Sequence, residues 1–195
     1  ERQIFKPEHF SWFNDDDIAN LETLNYGAVD IAMGKEKGDF SVIVSGAINV
    51  NTGTLYVYNA YMDRCHPDVL IDEVVSHTFE NQYEGLAVEA QMAQEFIADK
   101  MEERLQAIGY PAHTRLKQIK QRTRKELRIE ALLPDIQSGK IRFHEKFKNS
   151  PEMEQFEMYP MHKHDDFPDA VSMLTMVAKG TNTVVRTVKH MNRWR

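Results

Sequence analysis

The feature that most constrains the fold is a run of three strand-like segments near the start of the chain. Residues 26–33 alternate between apolar and polar positions, with Asp30 on the polar side, which is the period of a half-buried strand. Residues 40–48 are rich in Val and Ile, and an Asn-Thr-Gly turn separates them from a third such segment at residues 54–62. Strands joined by short connections pair antiparallel, so these segments predict a three-stranded meander.

Beyond the meander, the hydrophobic pattern alternates between helical and strand periods. A helix is predicted over residues 67–81, a short buried strand over residues 85–90, and a second helix that ends at Ile108 before Gly109. The later elements continue this alternation. A strand at residues 112–120 precedes a helix that runs from a capping box of Thr123 and Glu126 to residue 133. After a strand at residues 139–144 come a short helix from residue 151 and a last helix at residues 168–179, which Gly180 closes.

This order of elements predicts an α/β fold, in which a mixed sheet of five or more strands is flanked by helices. It is the order found in RNase H-like proteins. A chain of 195 residues suits one domain and can bury a sizeable core without a disulfide. The single cysteine, Cys65, excludes a disulfide framework and favours a reducing compartment. No apolar run approaches the roughly 18 residues of a membrane-spanning helix.

Carboxylates interrupt the apolar pattern at three places. Asp30 lies inside one apolar strand, and Glu89 directly follows another. A buried carboxylate is costly unless it is paired or binds a metal. At the start of the last helix, Asp166 and Asp169 are three residues apart and share a helix face. Each acid alone also suits a helix cap or an acidic first turn, but together they predict one shared cation site.

The charge of the chain is unevenly distributed. Its 30 acids outweigh its 24 Lys and Arg, and the net charge of −6 argues against a generally basic nucleic-acid-binding surface. Between His113 and Arg128, however, seven basic residues accompany one acid. Such a segment suits contacts with DNA phosphates, and a solvated face would have the same composition. We expect the DNA contacts at the end of this segment: Arg122, Arg124, Lys125 and Arg128.

Four motifs follow one another along the chain. The first is Gly-Ala-Val-Asp-Ile-Ala from Gly27, with Gly-Asp-Phe-Ser-Val-Ile from Gly38, and the second is Leu-Ala-Val-Glu ending at Glu89. The third is Lys-Glu-Leu-Arg-Ile from Lys125, with Ile-Arg-Phe from Ile141, and the fourth is His-Asp-Asp-Phe-Pro-Asp-Ala from His164. In this order and spacing they resemble the nuclease domain of the terminase large subunit of tailed bacteriophages, a member of the RNase H-like superfamily. Residues 5–10 resemble the segment that joins the ATPase to the nuclease in that family.

The resemblance implies a motor ATPase outside this sequence. The chain has no Gly-x-x-x-x-Gly-Lys-Ser/Thr loop, because Gly34 and Lys35 are followed by Glu36 where a hydroxyl residue is needed. We therefore expect three parts: a linker from the missing ATPase domain at residues 1–25, the RNase H-like nuclease domain at residues 26–180, and a basic C-terminal tail at residues 181–195.

The resemblance also implies an activity, a metal-dependent endonuclease that cleaves concatemeric viral double-stranded DNA during genome packaging. Its catalytic residues would be Asp30, Glu89 and Asp166, which would hold two Mg²⁺ or Mn²⁺ ions, with Asp169 as a fourth metal ligand or only an acid of the helix turn. Oxygen ligands without a thiolate suit these hard cations, and two such ions promote phosphodiester hydrolysis. The implied partners are double-stranded DNA, a terminase small subunit and a portal protein. The isolated domain is expected to be monomeric, without a membrane anchor, in the cytoplasm of the host cell.

Residues beside these motifs carry secondary hypotheses. Asp165 would replace Asp166 if the register of the acidic pair were shifted by one. Asp39 suits a turn before the second strand better than a metal ligand. His162 and His164 stand two residues apart and would fit zinc only with further ligands, which the spacing of the sequence does not offer. His164 alone suits a polar loop residue or an aid to proton transfer.

Two other functions are compatible with the same pattern. One is another RNase H-like nuclease, of the resolvase or transposase type. The other is a catalytically silent RNase H-fold module that binds DNA or protein. A silent module is expected to lack one of the three acids, and Asp30, Glu89 and Asp166 are all present.

Overall fold

The apolar runs in the first half of the chain form the centre of a sheet. The computed structural model describes residues 2–32, 38–89 and 94–191. Within these residues, seven strands form one mixed sheet: β1 (Trp12–Phe13), β2 (Thr23–Asp30), β3 (Ser41–Asn49), β4 (Leu55–Asp63), β5 (Gly85–Glu89), β6 (Leu116–Ile119) and β7 (Ile141–His144). The strands lie side by side in the order β1-β7-β4-β3-β2-β5-β6.

The predicted meander is confirmed. Strands β2, β3 and β4 pair antiparallel in sequence order. The remaining strands add to it in parallel, with β5 beside β2, β6 beside β5, and β7 between β4 and β1. The mixed α/β sheet of five or more strands is therefore confirmed.

Helices cover both faces of the sheet in the described part of the chain. They are α1 (Asp15–Ile18), α2 (Pro67–Asn81), α3 (Glu95–Ala107), α4 (Ala112–Arg115), α5 (Lys125–Glu130), α6 (Leu133–Gln137), α7 (Pro151–Glu157) and α8 (Asp166–Met191). Helices α2 and α3 pack against each other, and α8 lies on β2, β3 and β5. Among these helices, none is both long enough and apolar enough to cross a membrane.

The alternation of side chains along each strand creates two cores. Ala28 of β2 points to one face, where it packs in a cluster with Leu174 of α8. Its neighbour Val29 points to the other face, into a cluster with Leu70 of α2 and Ile97 of α3. Because both faces are buried, the central strands are apolar almost throughout and stand out in the sequence.

The first residues of the chain, expected to form a linker, pack onto the domain. Phe5 is fully buried and meets Phe156 edge-on, with 5.1 Å between ring centroids. Strand β1, which the sequence pattern did not predict, pairs in parallel with β7. A strand of two residues has no detectable period, and only its partner strand defines it.

Helix α8 differs from its predicted bounds at both ends. It begins at Asp166 and continues through Gly180 to Met191, whereas the sequence predicted an end before Gly180. A glycine inside a helix costs only about 1 kcal/mol relative to alanine, so it does not by itself end one. Part of the predicted basic tail is therefore helical backbone, and residues 192–195 lie outside the described residues.

Two smaller predictions in the basic segment differ from the structure. The capping box at Thr123 does not form. Helix α5 begins at Lys125, so its N-cap is Arg124 instead of Thr123, and the Arg124 side chain makes no capping hydrogen bond. The strand predicted over residues 112–120 is shorter, since its first part folds into α4 and only β6 remains extended. The short helix predicted from residue 151 is confirmed as α7, and the Ser150 hydroxyl caps it.

The topology brings the ends of several strands to one edge of the sheet. Strands β2 and β5 run parallel and finish together, with Asp30 directly opposite Glu89. Strand β3 starts at the same edge, since Asp30 is also paired with Val42. Strand β4 ends there too, at Asp63. This edge is where the first turn of α8 arrives.

Candidate metal centre

The predicted acids meet in one cleft at this edge of the sheet. Asp30 and Glu89 are the last residues of β2 and β5, and Asp166 and Asp169 lie on the first turn of α8. Glu89 is 8% exposed and the two aspartates of α8 are 3% exposed each, whereas Asp30 is partly exposed. The cleft has a volume of about 630 Å³, and all four acids line it together with two bases, Lys125 and Arg128.

Burial and mutual repulsion disfavour the charged forms of these acids. Although part of its surface faces the cleft, Asp30 is crowded by protein atoms, and this burial raises its pKa well above the usual range. The nearby carboxylates of Asp169 and Glu89 raise it further. Burial and the charge of Asp169 raise the pKa of Glu89, and burial raises that of Asp166. A bound cation would stabilise the charged forms of these acids, because it neutralises the repulsion among them.

One buried oxygen of the cleft is available to a cation. Oε2 of Glu89 is buried and has no hydrogen-bond partner among the described residues. Leaving a buried carboxylate oxygen without a partner is costly, and a coordinated ion removes that cost. The carboxylates of Asp30, Glu89 and Asp166 supply only hard oxygen ligands, which is the donor set preferred by Mg²⁺ and Mn²⁺.

Two residues given secondary weight in the sequence lie beside Asp166. Potential ligand atoms of Asp39, His164 and Asp166 all lie within 4.8 Å of one another. Nδ1 of His164 is 3.6 Å from Oδ1 of Asp39 and 3.8 Å from Oδ2 of Asp166. Their only sequence signal was membership of the Gly-Asp-Phe and His-Asp-Asp motifs. Residues 39 and 164 are too far apart in the chain for a local pattern to pair them.

Lys125 and Arg128, predicted to contact DNA, point into the acidic cleft. Nη2 of Arg128 lies 2.6 Å from Oδ1 of Asp169, and this guanidinium is only 13% exposed. Nζ of Lys125 lies 2.7 Å from Oδ1 of Asp165 and 3.6 Å from Oδ2 of Asp169. Burial alone would lower the pKa of Lys125, but its hydrogen bond to Asp165 and the surrounding carboxylates raise it. Lys125 is therefore charged at neutral pH.

The other two predicted DNA contacts are oriented differently. Arg122 and Arg124 are exposed in the loop between β6 and α5. Their loop borders the cleft, because Gln121 and Thr123 line it. Nε of Arg124 lies 3.6 Å from Oε2 of Glu126, in an ion pair open to solvent. The basic segment is thus divided into an outward pair and an inward pair.

The structure does not favour a zinc site built on His162 and His164. Nδ1 of His162 contacts the backbone of His164 instead, at 3.0 Å from its nitrogen and 2.6 Å from its oxygen. Within the described residues, the group whose possible ligand atoms lie within 4.8 Å of one another consists of Asp39, His164 and Asp166. It contains one histidine and neither Asp30 nor Glu89. Asp165, the alternative to Asp166, is engaged by Lys125 at the rim of the cleft.

Comparison with known proteins identifies the fold that carries this cleft. No protein-family model matches the chain, and no curated protein sequence matches it significantly. Among solved structures, the human cytomegalovirus terminase nuclease domain, soaked with Mn and bound to an inhibitor, superposes with a TM-score of 0.56 at 16% identity, over 90% of this chain and 92% of that one. The nuclease domain of the large terminase g2p of bacteriophage SPP1, with bound Mn, gives 0.55 at 14% identity, over 87% and 92%.

A third structure extends the same likeness. A mutant gp2c of the large terminase subunit of bacteriophage sf6, solved with calcium, gives a TM-score of 0.57 at 12% identity, over 89% of this chain and 99% of that one. At such identities the agreement is one of fold. The chain has the RNase H-like fold of the nuclease domains of terminase large subunits.

Proposed function

We propose that this chain is a metal-dependent endonuclease that hydrolyses the phosphodiester backbone of double-stranded DNA. The observation that carries the proposal is the single cleft that Asp30, Glu89 and Asp166 line, with an oxygen of Glu89 buried and unpartnered among the described residues. The fold shared with terminase nuclease domains supports the same interpretation, since two of the three structures compared contain Mn and the third contains calcium.

Asp30, Glu89 and Asp166 are the proposed catalytic residues and metal ligands. Two divalent cations, Mg²⁺ or Mn²⁺, would supply activation of a water nucleophile and relief of charge on the phosphate. Asp30 is the proposed shared ligand, because it ends β2 directly opposite Glu89 of β5 and lines the same cleft as Asp166. Glu89 would hold the ions from the β5 side of the cleft, and Asp166 would hold them from the α8 side.

Asp169, considered from the sequence as a fourth ligand, has a different role in this proposal. Its Oδ1 receives Arg128 and the hydroxyl of Ser172, and its Oδ2 faces Lys125. Oδ1 of Asp169 is therefore hydrogen-bonded to two donors, and Oδ2 lies 3.6 Å from the ammonium of Lys125. Asp169 acts as the counter-ion that holds the two bases at the cleft, where they can orient the scissile phosphate.

The DNA backbone would reach the cleft along the loop between β6 and α5. Arg122 and Arg124 are exposed there and free to approach phosphates, apart from the solvent-exposed pair of Arg124 with Glu126. Contacts of this kind position the duplex without reading its sequence. Cleavage is therefore expected to show little preference for base sequence.

The biological role proposed for this nuclease is the cutting of concatemeric viral DNA during genome packaging. Support comes from the four sequence motifs in order and from the terminase nuclease fold. In that role the domain would work with an ATPase, a terminase small subunit and a portal protein, in the cytoplasm of the host cell.

Digestion of plasmid DNA with and without Mn²⁺ tests the proposal. Wild type is expected to nick and linearise the plasmid with Mn²⁺ and to be inactive in EDTA, and Asp30→Ala is expected to be inactive in both. Asp72→Asn is a matched control, because Asp72 is an exposed acid of α2 paired with Arg104 on α3. Cleavage by folded Asp30→Ala at the wild-type rate would refute the proposal.

A further inference from the structure

Arg64 follows directly after β4, at the edge of the sheet that carries the acids, and three groups hold its guanidinium. The guanidinium carbon lies 4.0 Å from the centroid of the Phe40 ring. Nε donates to the carbonyl oxygen of Gly38 at 2.8 Å, and Nη2 lies 3.3 Å from Nε2 of His164. Although Arg64 is exposed, its planar group is fixed by stacking and by two directional contacts.

The groups that Arg64 holds are those that flank one oxygen of Asp166. The backbone N–H of Phe40 donates to Oδ2 of Asp166 at 3.1 Å. Nδ1 of His164 faces the same Oδ2 at 3.8 Å, and its ring meets the Phe40 ring edge-on at 5.1 Å. Oδ1 of Asp166 is on the other side, 3.8 Å from Nζ of Lys125. Arg64 thus connects to the carboxylate of Asp166 through two intermediaries.

The contact with Arg64 also selects one form of the His164 ring. A guanidinium has donors and no acceptor, so the ring nitrogen that it approaches acts as the acceptor. The proton of the neutral imidazole then lies on Nδ1, the nitrogen that faces Asp39 and Asp166. In this tautomer the Nδ1–H faces Oδ2 of Asp166 at 3.8 Å, beyond hydrogen-bond distance, and Nδ1 has no hydrogen-bond partner among the described residues.

We propose that Arg64 is a positioning residue of the cation site, which clamps residues 38–40 and His164 around Asp166. With Oδ2 held by the backbone of Phe40, the carboxylate keeps a fixed orientation and presents Oδ1 towards the cleft. The proposal deepens the proposed function and rests on its assignment of Asp166 as a metal ligand. Residues that orient a ligand typically change metal affinity by about 10- to 100-fold when removed.

Measuring the melting temperature (Tm) at increasing Mn²⁺ concentrations tests this role without requiring cleavage. In Arg64→Ala, the same rise in Tm is expected to need about tenfold more Mn²⁺ than in wild type. Arg64→Lys keeps the charge but lacks the planar fork, so an intermediate value is expected. Arg104→Ala is the matched control, since it removes an exposed arginine that pairs with Asp72 away from the cleft. Without metal, all three variants are expected to melt within about 2 °C of wild type.

Two further readouts separate positioning from other roles. The ¹H–¹⁵N spectrum of His164 is expected to show the proton on Nδ1 in wild type and to lose that preference in Arg64→Ala. Affinity for duplex DNA and its salt dependence, measured in EDTA, are expected to match wild type. Unchanged Mn²⁺ dependence in Arg64→Ala would overturn the proposal. So would weaker DNA binding with a shallower salt slope and unchanged Mn²⁺ dependence, because Arg64 would then be a phosphate contact.

Failure of the proposed function gives a different result. If wild-type protein showed no Mn²⁺-dependent rise in Tm, the metal site itself would be refuted, and the role of Arg64 in it with the site. Suppose instead that wild type shows the Mn²⁺-dependent rise in Tm, and that Arg64→Ala and Arg64→Lys need the same Mn²⁺ concentration for it. That result refutes only the positioning role of Arg64. The lysine variant keeps the test decisive if Arg64→Ala does not fold.

Discussion

At the scale of single residues, the acids of the cleft are held close together in a partly dry environment. Replacing Asp30, Glu89 or Asp166 by its amide removes one ligand charge at nearly constant volume. We expect Asp30→Asn, Glu89→Gln and Asp166→Asn each to reduce Mn²⁺-dependent DNA cleavage by at least about 100-fold, because an amide holds these ions poorly. Circular dichroism should show an intact fold. A fully active, folded Asp30→Asn protein would exclude Asp30 from the site.

The raised pKa of Asp30 leads to a prediction about pH. In the folded protein without metal, burial and the charges of Asp169 and Glu89 raise this pKa above its unfolded value. The folded state therefore binds more protons than the unfolded state between the two pKa values, and its free energy of unfolding falls as pH rises through that window. Asparagine binds no proton, so the stability of Asp30→Asn relative to wild type should increase from about pH 4 upward.

Urea unfolding of both proteins in EDTA, at several pH values from 4.5 to about 7.5, measures this difference. Comparing the two proteins at each pH cancels the titration of groups that they share. A difference in unfolding free energy that stays constant over this range would show that the folded pKa of Asp30 is ordinary.

At the scale of elements, the basic segment of residues 113–128 contains two groups of side chains with different expected roles, one in the loop before α5 and one in α5 itself. Arg122 and Arg124 are exposed and suited to bind phosphates, so Arg122→Ala and Arg124→Ala should each weaken binding equally on any duplex sequence. Each substitution should also flatten the salt dependence, by roughly 0.9 in the log–log slope for one phosphate. Lys140→Ala, which replaces an exposed lysine in the turn before β7, is the control. Unchanged slopes for both arginine variants would mean that the segment is only a solvated face.

Helix α5 turns Arg128 inward, and its variant should behave differently. Arg128→Ala is expected to bind DNA with nearly wild-type affinity and salt slope, because its guanidinium is 13% exposed and engaged with Asp169. The cleavage rate at saturating DNA should fall, since the variant lacks a group that orients the phosphate. Single-turnover cleavage and equilibrium binding in Ca²⁺ measure the two quantities separately. A drop in affinity with an unchanged rate would instead assign Arg128 to the DNA-binding surface.

At the scale of the whole molecule, a cation that binds only the folded state stabilises it by mass action. At Mn²⁺ about 100-fold above its dissociation constant, the gain is about 2.7 kcal/mol, which corresponds to a rise in Tm of roughly 5–10 °C for a domain of this size. The rise should disappear in the double variant Asp30→Asn/Asp166→Asn. If it persists there, the ion binds elsewhere, and His162 and His164 are the first residues to substitute.

The sequence alone determined the elements whose residues repeat with a clear local period. Helix α2 begins and ends where predicted, at Pro67 and Asn81, because its apolar stripe and its first-turn proline lie within one short segment. The meander follows from strands buried on both faces. The acids Asp30 and Glu89 were identifiable for the same reason, since a charge at the end of an apolar strand interrupts a local pattern.

Only the tertiary structure decided the contacts between segments that are distant in the chain. It placed β7 between β1 and β4, and it brought Phe40 to Asp166 across 126 residues. It also turned Arg128 towards Asp169 instead of towards solvent. Local periodicity carries no information on such pairs, because their geometry depends on how the sheet twists and on which helix covers each face. The sequence therefore determined which residues could form the site, and packing decided how they face one another.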